Sequence, residues 1–130
     1  MTVDQATAKG ESMALSRLAQ EFADEIAGHD WLDAPYRWDQ AGHRREHDRK
    51  AAGTQTLTPE ETLNLLRNVV AVTTQVLRHR DPNLDVYEFA EACGLDTRTH
   101  SGRSRDGGYV AAIRWESDGV ACAPGRRRGQ

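Results

Sequence analysis

A chain of 130 residues with 38% apolar and 28% charged side chains suits one domain, able to bury about two thirds of its unfolded surface without disulfides. No run approaches the ~20 apolar residues of a bilayer-spanning helix, the opening MTVDQATAKGES lacks the basic-then-apolar order of a signal peptide, and Cys93 and Cys122 are too few for a disulfide scaffold or a four-thiolate zinc site. The net charge of −3 divides unevenly: residues 98–130 carry seven arginines against Asp106, Glu116 and Asp118, giving +4, which leaves −7 on residues 1–97 and weakens long-range attraction to nucleic acid.

These bounds imply a cytoplasmic protein without membrane attachment, whose two thiols are reduced and whose core comes from a few well-patterned segments. Residues 1–11 have no periodicity and read as a flexible N-terminus. Over 12–28, Leu15, Leu18, Phe22 and Ile26 recur at steps of three and four, with Gly28 placed for a left-handed stop. An amphipathic helix follows from that pattern.

The next segment, DWLDAPYRWD, gathers Trp31, Tyr36 and Trp38 around Pro35, three of the eight aromatic residues in the chain. Tryptophan, tyrosine and arginine dominate binding hot spots, so this cluster is a candidate contact surface for a partner. The alternative is that the rings cap the helical core.

In GHRREHDRK, His43 and His47 would stand one turn apart on a helix over about 42–52, with imidazoles able to reach a common ion. A third ligand would have to come from His29, Asp30, Asp33 or Asp39. The order H-x-x-E-H resembles the signature of one class of zinc peptidases. The resemblance covers five residues, and those larger enzymes take a further glutamate from a second helix, so no catalytic role passes to Glu46. Read as a solvated helix, the same letters form two i,i+4 pairs, Arg44 with Asp48 and Glu46 with Lys50, each worth a few tenths of a kcal/mol.

A long helix over 59–79 is marked by Thr58 as N-cap, Pro59 in the first helical position and Glu61 completing a capping box. Its β-branched centre, VVAVTT, would suit a strand by propensity. The stripe Leu66, Val69, Val70, Thr73, Val76 and Leu77 favours the helix. A third helix over 85–93 has the cap pair Asp85 and Glu88, the apolar pair Leu84 and Phe89, and a glycine stop at Gly94 followed by Leu95. Val86, Phe89, Ala90 and Cys93 face inward on it.

The run YEFAEACGLDTRTHSGR resembles the first helix and turn of a helix-turn-helix, with Ala90, Gly94 and a polar segment from Asp96. That resemblance implies a recognition helix over about 97–105 and a wing at 109–123, with Arg98, Arg103 and Arg105 on phosphates. The wing is a hairpin in which Tyr109, Ile113 and Trp115 share one strand face, ESDG turns and VACA returns. PGRRRGQ, residues 124–130, reads as a disordered basic tail.

The expected architecture is a mostly α-helical single domain over 12–123 with a short C-terminal β-hairpin. The chain has no glycine-rich phosphate loop, no nucleophile elbow and no marked acid-base pair. A small non-enzymatic interaction or regulatory protein is therefore expected, contacting a protein partner through Trp31, Tyr36, Trp38, Arg98, Arg103 and Arg105, with no cofactor. Two alternatives stand beside it: a DNA-binding regulator of the winged helix-turn-helix kind, and a zinc-binding protein using His43 and His47.

Overall fold

A computed structural model describes residues 15–48, 55–96 and 108–130. It shows a small, mostly helical domain with a two-stranded antiparallel hairpin near the C-terminus. The N-terminal residues 1–11 and the proposed recognition segment 97–105 lie outside the described residues.

Helix α1 spans Arg17–Ala27, and the Ser16 hydroxyl accepts the Ala19 amide at 3.1 Å to cap it. Its inner face is Ala19, Ala23 and Ile26. Leu18 and Phe22, expected inside, stand outside. The small alanines let α1 approach its neighbour closely, which turns the inner face around the helix by about 60° and keeps Leu15 and Ile26 inside. Gly28 closes α1 without a left-handed turn, at φ −85°.

Helix α2, Pro59–Arg80, has both bonds of the capping box between Thr58 and Glu61. Its β-branched centre is helical, and the hydroxyls of Thr73 and Thr74 are satisfied within the helix, donating to the carbonyls of Val69 and Val70. Val70, Thr74, Gln75 and Leu77 are buried, and Leu66 and Val69 pack beside them. Helix α3, Val86–Ala92, is capped by the Asp85 carboxylate, which accepts from the amides of Tyr87 and Glu88. Seven residues are too few for an isolated helix. Burial of Phe89, Ala90 and Cys93 between α1 and α2 holds α3 in place. Gly94 supplies the stop at φ +107°, and Leu95 follows it into the core.

The expected strand at 109–115 begins instead as one helical turn, α4, Gly108–Ala111. The indole of Trp115 donates to the Val110 carbonyl at 2.8 Å, folding the segment back on itself, while Tyr109 meets the Tyr87 ring edge-on. The hairpin is β1, Trp115–Ser117, and β2, Val120–Ala121, joined through Gly119 at φ +77°.

So short a hairpin needs support from outside. Gln75 of α2 gives it: its amide oxygen accepts the Arg114 amide at 2.8 Å, and its nitrogen donates to the carbonyls of Arg114 and Cys122. One turn later Arg78 donates to the carbonyls of Leu84 and Gly119 and lies 5.3 Å from the Trp115 ring centroid. Residues 124–130, expected to trail away, turn back on the hairpin. The Arg126 carbonyl accepts from Arg114 Nε, and the Gly129 amide donates to Glu116. Among the described residues no helix is long and apolar enough to cross a membrane.

Candidate functional site

The segment between α1 and α2 carries most of the polar chemistry. A helix over 42–52 was expected there; only a 3-10 turn, Arg45–His47, forms among its described residues. Arg44 to Asp48 includes no apolar side chain, so a helix here would have no face to bury. The charges pair across the loop instead of along a helix.

Local features set the path. Pro35 opens a short 3-10 turn, Ala34–Tyr36. Gly42, at φ +89°, makes the tight reversal in which the His43 amide donates to the Gln40 carbonyl. The Gly42 amide donates to His29 Nδ1 at 3.0 Å, which requires that nitrogen to be unprotonated. Asp30 joins the two halves twice: its amide donates to the His43 carbonyl, and its carboxylate accepts the Arg45 amide at 2.7 Å.

Inside this frame sits Asp33, buried, with no capping bond to the turn it precedes. Its carboxylate accepts from Arg45 Nη1 at 3.0 Å, with His43 Nε2 at 3.4 Å and Arg37 Nη1 at 3.8 Å. Arg37 grips Asp39 with two N–H groups and reaches Asp48 at 3.1 Å. His43 is also 3.7 Å from Asp39 and 4.0 Å from Asp48. Three carboxylates thus share two guanidiniums and one imidazole. Burial works to raise the Asp33 carboxyl, but the Arg45 hydrogen bond and His43 outweigh it and hold the group below its ordinary range. Asp39 is held low chiefly by its hydrogen bond from Arg37.

His43 and His47 stand in different surroundings. The His43 side chain is 8% exposed and His47 75%, and the pair does not share a helix face. Among the described residues no group of three His, Cys, Asp or Glu side chains is placed to hold a metal ion. Arg37 and Arg45 already occupy the carboxylates that a cation beside His43 would need. The pairing of Arg44 with Asp48 gives way to Arg37 with Asp48, and Lys50 lies outside the described residues.

The aromatic candidates separate. Trp31 is partly buried and packs against the core: its indole donates to the Ile26 carbonyl at 3.0 Å and its ring meets His29 edge-on at 4.7 Å. Tyr36 is half exposed. Trp38 is 99% exposed, between two residues whose side chains the network holds. Arg98, Arg103 and Arg105 lie outside the described residues.

Arg37, Arg45 and Asp48 were missed as a group by sequence reasoning, although Asp33 and Arg37 at i,i+4, with Pro35 between them and Gly42 beyond, carried a signal of a charged, non-helical loop. No known family model, curated protein or solved structure matches the chain.

Proposed function

We propose that the chain is a small non-enzymatic interaction protein with a regulatory role, which engages a protein partner through the loop at 31–38, Trp38 being the anchor. The observation that carries this reading is the state of Trp38: a fully exposed indole on a backbone fixed by its neighbours. Exposing so large an apolar ring to water forgoes a few kcal/mol of burial. Fixing it in advance lowers the ordering cost that a partner would otherwise meet on binding. Arg37 and Asp39 on either side supply that fixity, and Tyr36 extends the aromatic surface. Two buried, unpaired thiols support a reducing compartment such as the cytoplasm.

The test is affinity capture with the full chain, comparing the wild type with Trp38→Ala by quantitative mass spectrometry and then by titration with the captured protein. Trp38→Ala should leave the melting temperature unchanged and weaken binding by about thirtyfold, the loss typical of a hot-spot residue. Unchanged binding, or a fold that collapses without Trp38, would overturn the reading. Trp31→Ala should instead destabilise the fold.

A further inference from the structure

Two surfaces other than the Trp38 ring are apolar, exposed among the described residues and opposite in charge. On α1, Leu18 is 57% and Phe22 44% exposed. With 3.6 residues per turn, positions 18, 21, 22 and 25 share one helix face, so Glu21 and Glu25 border these two side chains. Among the described residues, Glu21 pairs with Arg17 alone, an exposed i,i+4 contact at 3.6 Å.

The second surface is a groove between the outer side of α2 and the C-terminal turn. Val72, 70% exposed, and Val76 line it, with Gln75 beside them. Arg114, Arg126 and Arg127 complete its rim. The guanidiniums of Arg126 and Arg127 have no carboxylate partner among the described residues.

These surfaces cannot satisfy each other within one chain. Val72 lies about 200° around α2 from Val70, and Val70 packs in the same core as Ala19, Ala23 and Ile26 of α1. The groove therefore opens away from α1. An acidic helix face with two large apolar side chains on one copy matches a basic-rimmed groove with two valines on the next.

We infer that a second copy of this chain is the occupant, with α1 of one molecule laid into the groove between α2 and the C-terminal turn of its neighbour. Such a contact is heterologous: each molecule keeps one free face of each kind, so association continues beyond the dimer unless it closes into a ring. The charges at its edge are solvent-exposed, so added salt weakens it.

Sedimentation velocity of the full chain over a range of concentrations tests this. The average mass should rise with concentration and fall with added salt. The double reversals Glu21→Arg with Glu25→Arg, and Arg126→Glu with Arg127→Glu, should each weaken association at least tenfold. The chain carrying all four changes should associate again, because the complementarity is restored with the signs exchanged. Val72→Gln should weaken association with no charge change, and circular dichroism should show all variants folded. A wild-type chain that stays monomeric throughout, association that survives either reversal, or a fourfold variant that stays monomeric would each overturn the proposal.

Discussion

Asp33 shows how one buried carboxylate can organise a loop without a regular element. It takes hydrogen bonds or close charge contacts from Arg45, His43 and Arg37, residues 4 to 12 positions further along the chain. Removing it leaves the Arg37 and Arg45 guanidiniums without the buried carboxylate between them. Breaking a buried pair on one side typically costs about 3 kcal/mol, and Asp33→Ala should lower the stability by that order, read as a shifted urea midpoint with an unchanged slope. A change below about 0.5 kcal/mol would show that Asp39 and Asp48 suffice alone. The acid side follows from the same geometry. Asp33 and Asp39 are held below the ordinary value of 3.8 in the folded chain. A carboxylate lowered by folding adds stability above its unfolded value, and that stability is lost as pH falls through the folded value. Unfolding free energy should therefore be flat above about pH 5 and fall below about pH 4, with a shallower fall in Asp33→Asn. An acid limb equally steep in that variant would assign it to other carboxylates.

At the scale of elements, the hairpin leans on α2 most heavily through Gln75, with Arg78 and His79 adding contacts at Gly119 and Ala121. Gln75 holds the amide and carbonyl of Arg114 and the carbonyl of Cys122, the backbone positions on either side of the strand pair. In Gln75→Leu the Arg114 amide and the Cys122 carbonyl lose the Gln75 side chain where water has poor access, while the Arg114 carbonyl keeps the Cys122 amide, at a cost of about 1–3 kcal/mol for each group left unmade. The expected result is local: hydrogen exchange at the Arg114 amide should accelerate well before that at the amides of α3. Equal acceleration in both would mean that the hairpin and helices unfold as one unit. This dependence also marks the limit of what was legible in the sequence. Caps and stops are local chemistry, so Thr58 with Glu61, Asp85 and Gly94 located the ends of α2 and α3 within a residue or two. The face α1 presents, the helical turn at 108–111 and the loop at 42–48 depend on contacts far along the chain. Alanines at 19 and 23 read as fillers beside Leu18 and Phe22, yet they make the closest packing. His43 and His47 suggested a helix by spacing alone, whereas the partners of His43 lie on a loop whose course Pro35 and Gly42 determine. Trp31 and Trp38 have similar neighbours in sequence and opposite positions in the fold; only the carbonyl of Ile26 and the ring of His29 distinguish them.

The whole molecule has a core thin in large side chains, and this makes its two thiols reporters of different openings. Cys93 lies with Phe89, Ala90 and Leu95 where α1, α2 and α3 meet, and burial pushes its thiol up to about 12. Cys122 is buried behind the hairpin; burial and then Glu116, whose carboxylate accepts from its thiol, also raise it. Since the thiolate is the reacting species, neither should be modified by iodoacetamide at pH 8 while the chain stays closed. Cys122 is released when the hairpin leaves α2, but Cys93 only when the helices separate. A urea series with pulse labelling should therefore modify Cys122 at or before the global midpoint and Cys93 only at it, and Gln75→Leu should advance the first without moving the second by as much. If Cys93 reacts first, the weak joint lies between α3 and the helices around it. The seven-residue α3 would then be the element that opens, and the hairpin would be the better-anchored part of the molecule.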